Sequence, residues 1–266
     1  MNPNTHIPIV GSIIGDIAGS THEFTGNKDP NVDLFPPDAE YTDDSILTLA
    51  TAEALLTGSG YGDMYLIFGQ RHPYPYGGYG VRFAEWLRSE DPMPYNSWGN
   101  GSAMRVSPIG FALDTEADVL REAARSAAVT HDHPEGIKGA QATALALFLA
   151  RKGASRDELR SAITTRFGYD LSRTVEQVRA VYHFNESCQG TVPEALIAFL
   201  DAPDFEAAIR NAISLGGDAD TVACITGGVA QAFFKAVPSA FVEQALNKLP
   251  VELRGIVARF AERWPM

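Results

Sequence analysis

Cysteine is scarce in this 266-residue chain: only Cys188 and Cys224 occur, far apart and in no CxxC spacing. That excludes a disulfide framework and a thiolate zinc site, and both thiols are read as buried or incidental in a reducing compartment. The expected location is the cytoplasm. Basic runs are also missing. With 21 Lys and Arg against 33 Asp and Glu the formal charge is -12, so an electrostatic grip on nucleic acid is excluded as the main business. Polyanions are repelled, except where a metal reverses the local sign. Long apolar runs are absent too. The stretch "IPIVGSIIGDIAG" (7–19) is short, carries Asp16 and lacks a basic leader, so neither a signal peptide nor a spanning helix is expected, and no membrane partner. Few segments alternate with period two, which argues against a sheet. No repeat or low-complexity linker divides the chain, so residues 1–266 are expected to form one domain, with enough apolar content to fold without staples.

Helical periodicity is what the chain does have. "TEADVLREAARSAAVT" (115–130) predicts an amphipathic helix with a capping-box-like start at Thr115 and Asp118. "EGIKGAQATALALFLARKG" (135–153) is apolar nearly all round and predicts a central helix ending at Gly153. "SRDELRSAITTRFG", "TVEQVRAVYHF", "TVPEALIAFL" and "DFEAAIRNAIS" follow as helices, with Pro193 read into a first turn. "DTVACITGGVAQAFFKAV" (220–237) is an apolar helix whose glycines invite a close neighbour, and 239–264 predicts one or two helices around Pro250. Residues 58–108 are the exception. Rich in Gly, Pro, Tyr and Asn, they read as irregular functional loops broken by one short helix, "VRFAEWLRS". The fold class is therefore all-α, a compact helical domain with its loops on one face.

Two helix starts carry paired carboxylates. "YTDDSILTLATAEALL" (41–56) opens with Thr42, Asp43 and Asp44; "SLGGDADTVACITGG" (214–228) offers Asp218, Asp220 and Thr221. Side chains at i and i+2 of a regular helix diverge, so Asp218 and Asp220 converge only in a turn entering the helix, which Gly216 and Gly217 permit. Each motif alone can be a helix cap complementing the macrodipole. If the two starts meet, four carboxylates and two hydroxyls crowd together. Bare, they would repel or retain protons. An all-oxygen set suits Mg²⁺, Mn²⁺ or Ca²⁺ rather than Zn²⁺.

Four stretches in order, "GSIIGDIAGSTHEF" (11–24), "YTDDSI" (41–46), "SWGNGSAMR" (97–105) and "GGDADT" (216–221), give the chain a specific resemblance to the ADP-ribosylglycohydrolase family, over nearly its whole length. The resemblance implies an all-α orthogonal bundle with a two-metal centre, Mg²⁺ or Mn²⁺, that removes ADP-ribose from a modified target, a protein foremost. Carried over by position, the metal ligands are Thr42, Asp43, Asp44, Asp218, Asp220 and Thr221, with Asp220 bridging both ions. Ser45 and Ala219 stand where family members often have threonine; neither removes a carboxylate. The resemblance also makes Glu23, in "GSTHEF", the catalytic acid or base.

For the nucleotide, the small residues around Asn100 let backbone N–H groups approach an anion. By resemblance Ser97, Gly99, Asn100 and Gly101 line pyrophosphate and ribose, and Trp98 stacks on adenine, the alternative being a core plug beneath the loop. Gly78 and Gly80, in "YPYGGYG", supply either a second phosphate loop or a plain turn. His131, in "THDHPEG", either reaches substrate or orients neighbours. Two rival readings remain. One is a non-catalytic relative that binds ADP-ribose or serves structurally. The other is an HD-type phosphohydrolase built on His131 and Asp132, which needs imidazole ligands on several helices and leaves both aspartate motifs unexplained.

Overall fold

A computed structural model describes residues 7–266; residues 1–6 of the expected domain lie outside it. Among the described residues there are fifteen α-helices and no strand, only isolated bridges at Thr42–Tyr76 and Gly99–Ser187.

The centre of the molecule is a helix pair. α1 (Val10–Gly19) packs along α13 (Ala219–Phe234), and both are buried over almost their whole length. Their approach depends on small residues one turn apart. A methyl added at Gly15 would lie 1.9 Å from the Ala223 carbonyl oxygen, and one at Gly11 would lie 2.3 Å from that of Gly227. The backbones are thus in contact, and any side chain there would force them apart. The buried amide of Gln231 serves the start of α1: its Oε1 accepts from Gly11 N at 2.8 Å and its Nε2 donates to Ile7 O. The close neighbour expected for the glycine-bearing apolar helix is therefore α1.

Around this pair stand α2 (Asp43–Thr57), α8 (Pro134–Arg151), α11 (Cys188–Leu200) and α12 (Phe205–Ile213), with α14 (Ser239–Lys248) and α15 (Val251–Arg263) closing the C-terminal side. α7 (Glu116–Ala128) and α9 (Arg156–Phe167) flank α8. α7 starts on Thr115, whose hydroxyl accepts from Asp118 N, and α9 carries a full capping box of Ser155 and Glu158. α10 (Val175–Val181) is short and also boxed, by Thr174 and Gln177.

Two expectations are corrected. Residues 58–108 are not loops around one helix. They contain α3 (Tyr61–Arg71) and α4 (Val81–Arg88), plus the single turn α5 (Gly101–Met104), and α6 (Ser107–Ala112) follows at once. Tyr61, Tyr65, Phe68 and Gly69 form the buried stripe of α3, so aromatics supply the helical period where aliphatics usually do. Pro193 is not in a first turn. α11 begins at Cys188, five residues earlier, because Ser187 caps it by accepting from Gly190 N at 3.1 Å. The ring deprives the Gln189 carbonyl of its helical donor, and Gln189 is exposed, so water can replace the lost bond.

Candidate metal centre and nucleotide cavity

The two acidic helix starts do meet. α2 begins after Thr42, whose hydroxyl accepts from Asp44 N at 3.1 Å. The capping task belongs to the threonine, which leaves both carboxylates free. At the other start Asp218 is the N-cap of α13 yet makes no side-chain cap bond. Its Oδ2 instead accepts from Asn100 Nδ2 at 2.7 Å, while Asn100 also donates to Thr191. Thr221 Oγ1 spans the two motifs by donating to Asp44 Oδ1 at 3.3 Å. One carboxylate oxygen each from Glu23, Asp218 and Asp220 lies within 4.8 Å of the others. The Gly216–Gly217 turn makes this convergence possible. Gly216 has φ 68°, and a methyl there would meet the Asn27 carbonyl oxygen at 2.8 Å. Lys28 secures the same contact by donating to Tyr182 O at 2.6 Å and to Leu215 O. The segment carrying Glu23 is thereby clamped to the turn carrying Asp218.

Asp16 supports the first motif, and the pattern reading gave it no role beyond interrupting an apolar run. Fully buried on α1, its carboxylate accepts from Thr42 Oγ1 at 2.6 Å, Thr42 N at 3.0 Å and Ser45 N at 3.1 Å, and from Ser45 Oγ as well. The serine that departs from the family's threonine keeps its hydroxyl at work here. Burial pushes the Asp16 carboxyl up to about 6. Burial, and then the charges of Asp16, Asp218 and Glu23, hold Asp43 well above the usual carboxylate range. Asp44 and Asp220 are raised well above it as well, burial first and neighbouring carboxylates second. Glu23 is pushed up to about 7 by burial, then by Asp218, Glu186 and Asp16. So many buried acids cannot all be ionised without a cation among them. Asp44 Oδ2 is a buried oxygen with no hydrogen-bond partner in the protein, as expected of a ligand atom. The donor set, all oxygen and mostly anionic, fits a hard divalent cation.

These acids floor a cavity of about 500 Å³, in the range of small-ligand sites. Gly78 and Gly80 line one wall, where the Thr42–Tyr76 bridge carries their loop to the start of α2. A methyl on Gly77 would lie 3.0 Å from Glu23 Oε2. Ser97, Gly99, Asn100, Gly101 and His131 line the cavity as well. Asn100 orients the Asp218 carboxylate, and the N–H groups of Gly99 and Asn100 are already taken, by Ser97 Oγ at 3.1 Å and Glu186 O at 2.7 Å. An anion therefore cannot use those two amides without displacing these bonds. Thr42 is buried and is not a lining residue; its hydroxyl donates to Asp16 and accepts from Asp44 N, which leaves one lone pair for a cation.

Trp98 is absent from the cavity wall. Its ring is 49% exposed and meets His133 edge-on at 5.6 Å. Trp98 O accepts from Cys188 N at 2.9 Å and Gly99 pairs with Ser187, so the turn directs backbone inward and the indole outward. Its exposure argues against a plug under the loop. Three charged wall residues went unread in the sequence: Arg82, Arg105 and Glu186. Asp132 Oδ1 accepts from Asn96 N at 2.7 Å, and His131 Nδ1 lies 2.7 Å from Thr130 Oγ1. Among the described residues no histidine joins the acidic grouping of Glu23, Asp218 and Asp220, and Asp132 and His131 are each engaged by neighbours, so the HD-type reading gains no support.

A sequence model described as ADP-ribosylglycohydrolase matches residues 8–265. The chain belongs to the ADP-ribosylglycohydrolase family. It is 27% identical to the human ADP-ribosylhydrolase ARH3, over 85% of this chain and 84% of that one. It is 29% identical to the ADP-ribosylarginine hydrolase Tri1 of Pseudomonas putida, over 63% of this chain and 48% of Tri1. A solved structure, "ADP-ribosylglycohydrolase-related protein complex", superposes with a TM-score of 0.73 at 27% identity and 99% coverage of both chains. The all-α architecture is thus the one this family shares.

Proposed function

We propose that the protein hydrolyses the glycosidic bond between the distal ribose of ADP-ribose and a modified target, a protein foremost, using two divalent cations, Mg²⁺ or Mn²⁺. The observation that carries this reading is the meeting of two acidic helix starts on the floor of a cavity of about 500 Å³. Asp43, Asp44, Asp218 and Asp220, with Thr42 and Thr221, would hold the cations. When bound, such ions would fix the ribose diol and orient its anomeric carbon.

The chain's own groups do the rest. Asp16 fixes the backbone of Thr42 and Ser45, and Asn100 fixes the Asp218 carboxylate. Water supplies an oxygen to the anomeric carbon while the bond to the leaving atom breaks, its electron pair departing with that atom. One water proton must end on the leaving atom. Glu23, beside Asp218 and Asp220 with its carboxyl raised first by burial, is the group for that transfer.

The ARH3 and Tri1 names both describe ADP-ribosyl hydrolases, and Tri1's specifies arginine; the linkage is to be found by assay. The direct test is calorimetric titration of Mg²⁺ and Mn²⁺ into wild type, Asp44→Asn and Asp220→Asn. Each variant should lose at least tenfold in cation affinity while keeping its helical circular dichroism, since each removes a hard anionic ligand. Unchanged affinity in both would reject the metal centre.

A further inference from the structure

Arg105 is the largest fully buried side chain among the described residues, yet nothing above gives it a task. Its guanidinium stacks on the Tyr65 ring, 4.1 Å from the centroid, and reaches the cavity wall. Nη2 donates to Thr130 Oγ1 at 2.8 Å and to Ser126 O at 3.4 Å, whereas Nε and Nη1 have no hydrogen-bond partner in the protein. A buried, half-satisfied cation is costly to keep, so what it organises matters.

Thr130 passes the effect on. Its hydroxyl also lies 2.7 Å from His131 Nδ1. A guanidinium can only donate, so Arg105 occupies an acceptor lone pair of Thr130 Oγ1, and the hydroxyl proton is left to be given elsewhere. A cation donating to a hydroxyl makes that O–H a stronger donor. The acceptor in line with it is the imidazole Nδ1, with the Tyr95 phenol the only rival facing the same hydroxyl. With Nδ1 accepting, the ring proton sits on Nε2. Nε2 faces the glycine turn: a methyl on Gly101 would lie 3.1 Å from it, and one on Gly99 3.5 Å.

We propose that Arg105 is a positioning residue which, through Thr130, locks His131 as a neutral imidazole with its proton on Nε2, presenting a fixed N–H donor beside the Gly99–Gly101 turn for a phosphate oxygen of the bound nucleotide. An acceptor nitrogen there would repel the anion, and the acids on the cavity floor already do so. Burial, then the charges of Arg105 and Arg82, keep His131 well below the usual histidine range, in agreement with a neutral ring. The ligand assignment rests on the reading of the cavity as an ADP-ribose site. The tautomer does not, and the two can fail separately.

The test is two-bond ¹H–¹⁵N correlation NMR of the ligand-free, full-length protein at neutral pH, with the His131 signals assigned by their loss in His131→Gln. The expected pattern is a protonated Nε2 and an unprotonated Nδ1. Thr130→Val should turn this into a mixture of tautomers, Thr130→Ser should restore it, and Arg105→Lys should weaken it. Affinity for ADP-ribose should fall about tenfold in Thr130→Val and recover in Thr130→Ser. A proton on Nδ1 in wild type, or an unchanged Nε2–H pattern in Thr130→Val, overturns the relay. A confirmed tautomer with unchanged ADP-ribose affinity in Thr130→Val overturns the role in phosphate binding and leaves the hydrolase reading untouched.

Discussion

Asp16 shows how much of an active site can depend on a residue that never faces its ligand. Its carboxylate takes both the backbone N–H and the hydroxyl of Thr42 and of Ser45. Asp16→Ala leaves two buried N–H groups unpaired, at about 1–3 kcal/mol each. Chemical denaturation should therefore show a loss of roughly 2–6 kcal/mol, together with weaker cation binding, because Asp43 and Asp44 stand on that backbone. A full-affinity variant would mean that the start of α2 is held by something else. For Glu23 the expectation is kinetic. Glu23→Gln should keep ADP-ribose binding while turnover falls by roughly 10²–10⁴; binding lost in step with turnover would make Glu23 a structural ligand of the floor instead. The paired aspartates were legible because pairs of acids beside threonine at two helix starts form a pattern. Asp16, Arg105 and Glu186 were not, since one charge in an apolar or aromatic stretch does not name its partner. Asp16's partners lie 26 and 29 residues on, and only the fold brings them together. The direction of the Trp98 ring was not legible for a related reason: adjacency to a glycine turn does not tell which way the turn points its side chain.

At the scale of elements, the α1–α13 contact holds the two acidic starts in register, because Asp16 rides on one helix and Asp220 on the other. Gly15→Ala places a methyl 1.9 Å from a backbone oxygen, which no rotamer change relieves. It should cost about 1–3 kcal/mol as an overpacked core does, and it should lower cation affinity although it touches no ligand. Gly255→Ala is the counterpart. Gly255 lies inside α15 with Arg259 Nη1, at 3.9 Å, the nearest atom to a new methyl. It should raise stability by about 0.5–1 kcal/mol, the ordinary gain of alanine over glycine in a helix. Melting curves of the two variants, shifting in opposite directions, check both. Helices with aliphatic stripes and polar caps, such as α7 and α9, were readable from the sequence in type and near their ends. α3 and the turn α5 were hidden by Gly and aromatic content that reads as loop. The start of α11 was hidden because Ser187 and Cys188 precede the proline that served as the marker.

For the whole molecule, the acidic centre sets how stability responds to pH and to cations. Carboxyls raised in the folded state, Asp16 to about 6 and Glu23 to about 7, bind protons that the unfolded chain releases near pH 4. Their folded-state protonation therefore favours the native protein least penalised at low pH, and that advantage is lost as pH rises from about 4 through 7. A divalent cation competes with those protons and favours the ionised cluster. Melting temperatures of metal-free and Mg²⁺- or Mn²⁺-loaded protein should thus diverge as pH rises from 5.5 to 8, because the stabilising free energy RT ln(1 + [L]/Kd) grows as Kd falls; a gap that stays constant or narrows would contradict the cation assignment. The central claim is that this cavity removes ADP-ribose from a target with metal assistance. The measurement that tests it most directly is release of free ADP-ribose from arginine-linked, serine-linked and small O-linked ADP-ribosyl substrates, each assayed with Mg²⁺, with Mn²⁺ and with a chelator. Release from at least one linkage with a cation, abolished by chelation and by Asp220→Asn, is the predicted result; no release from any linkage with either cation, or equal release in the presence of chelator, would contradict it.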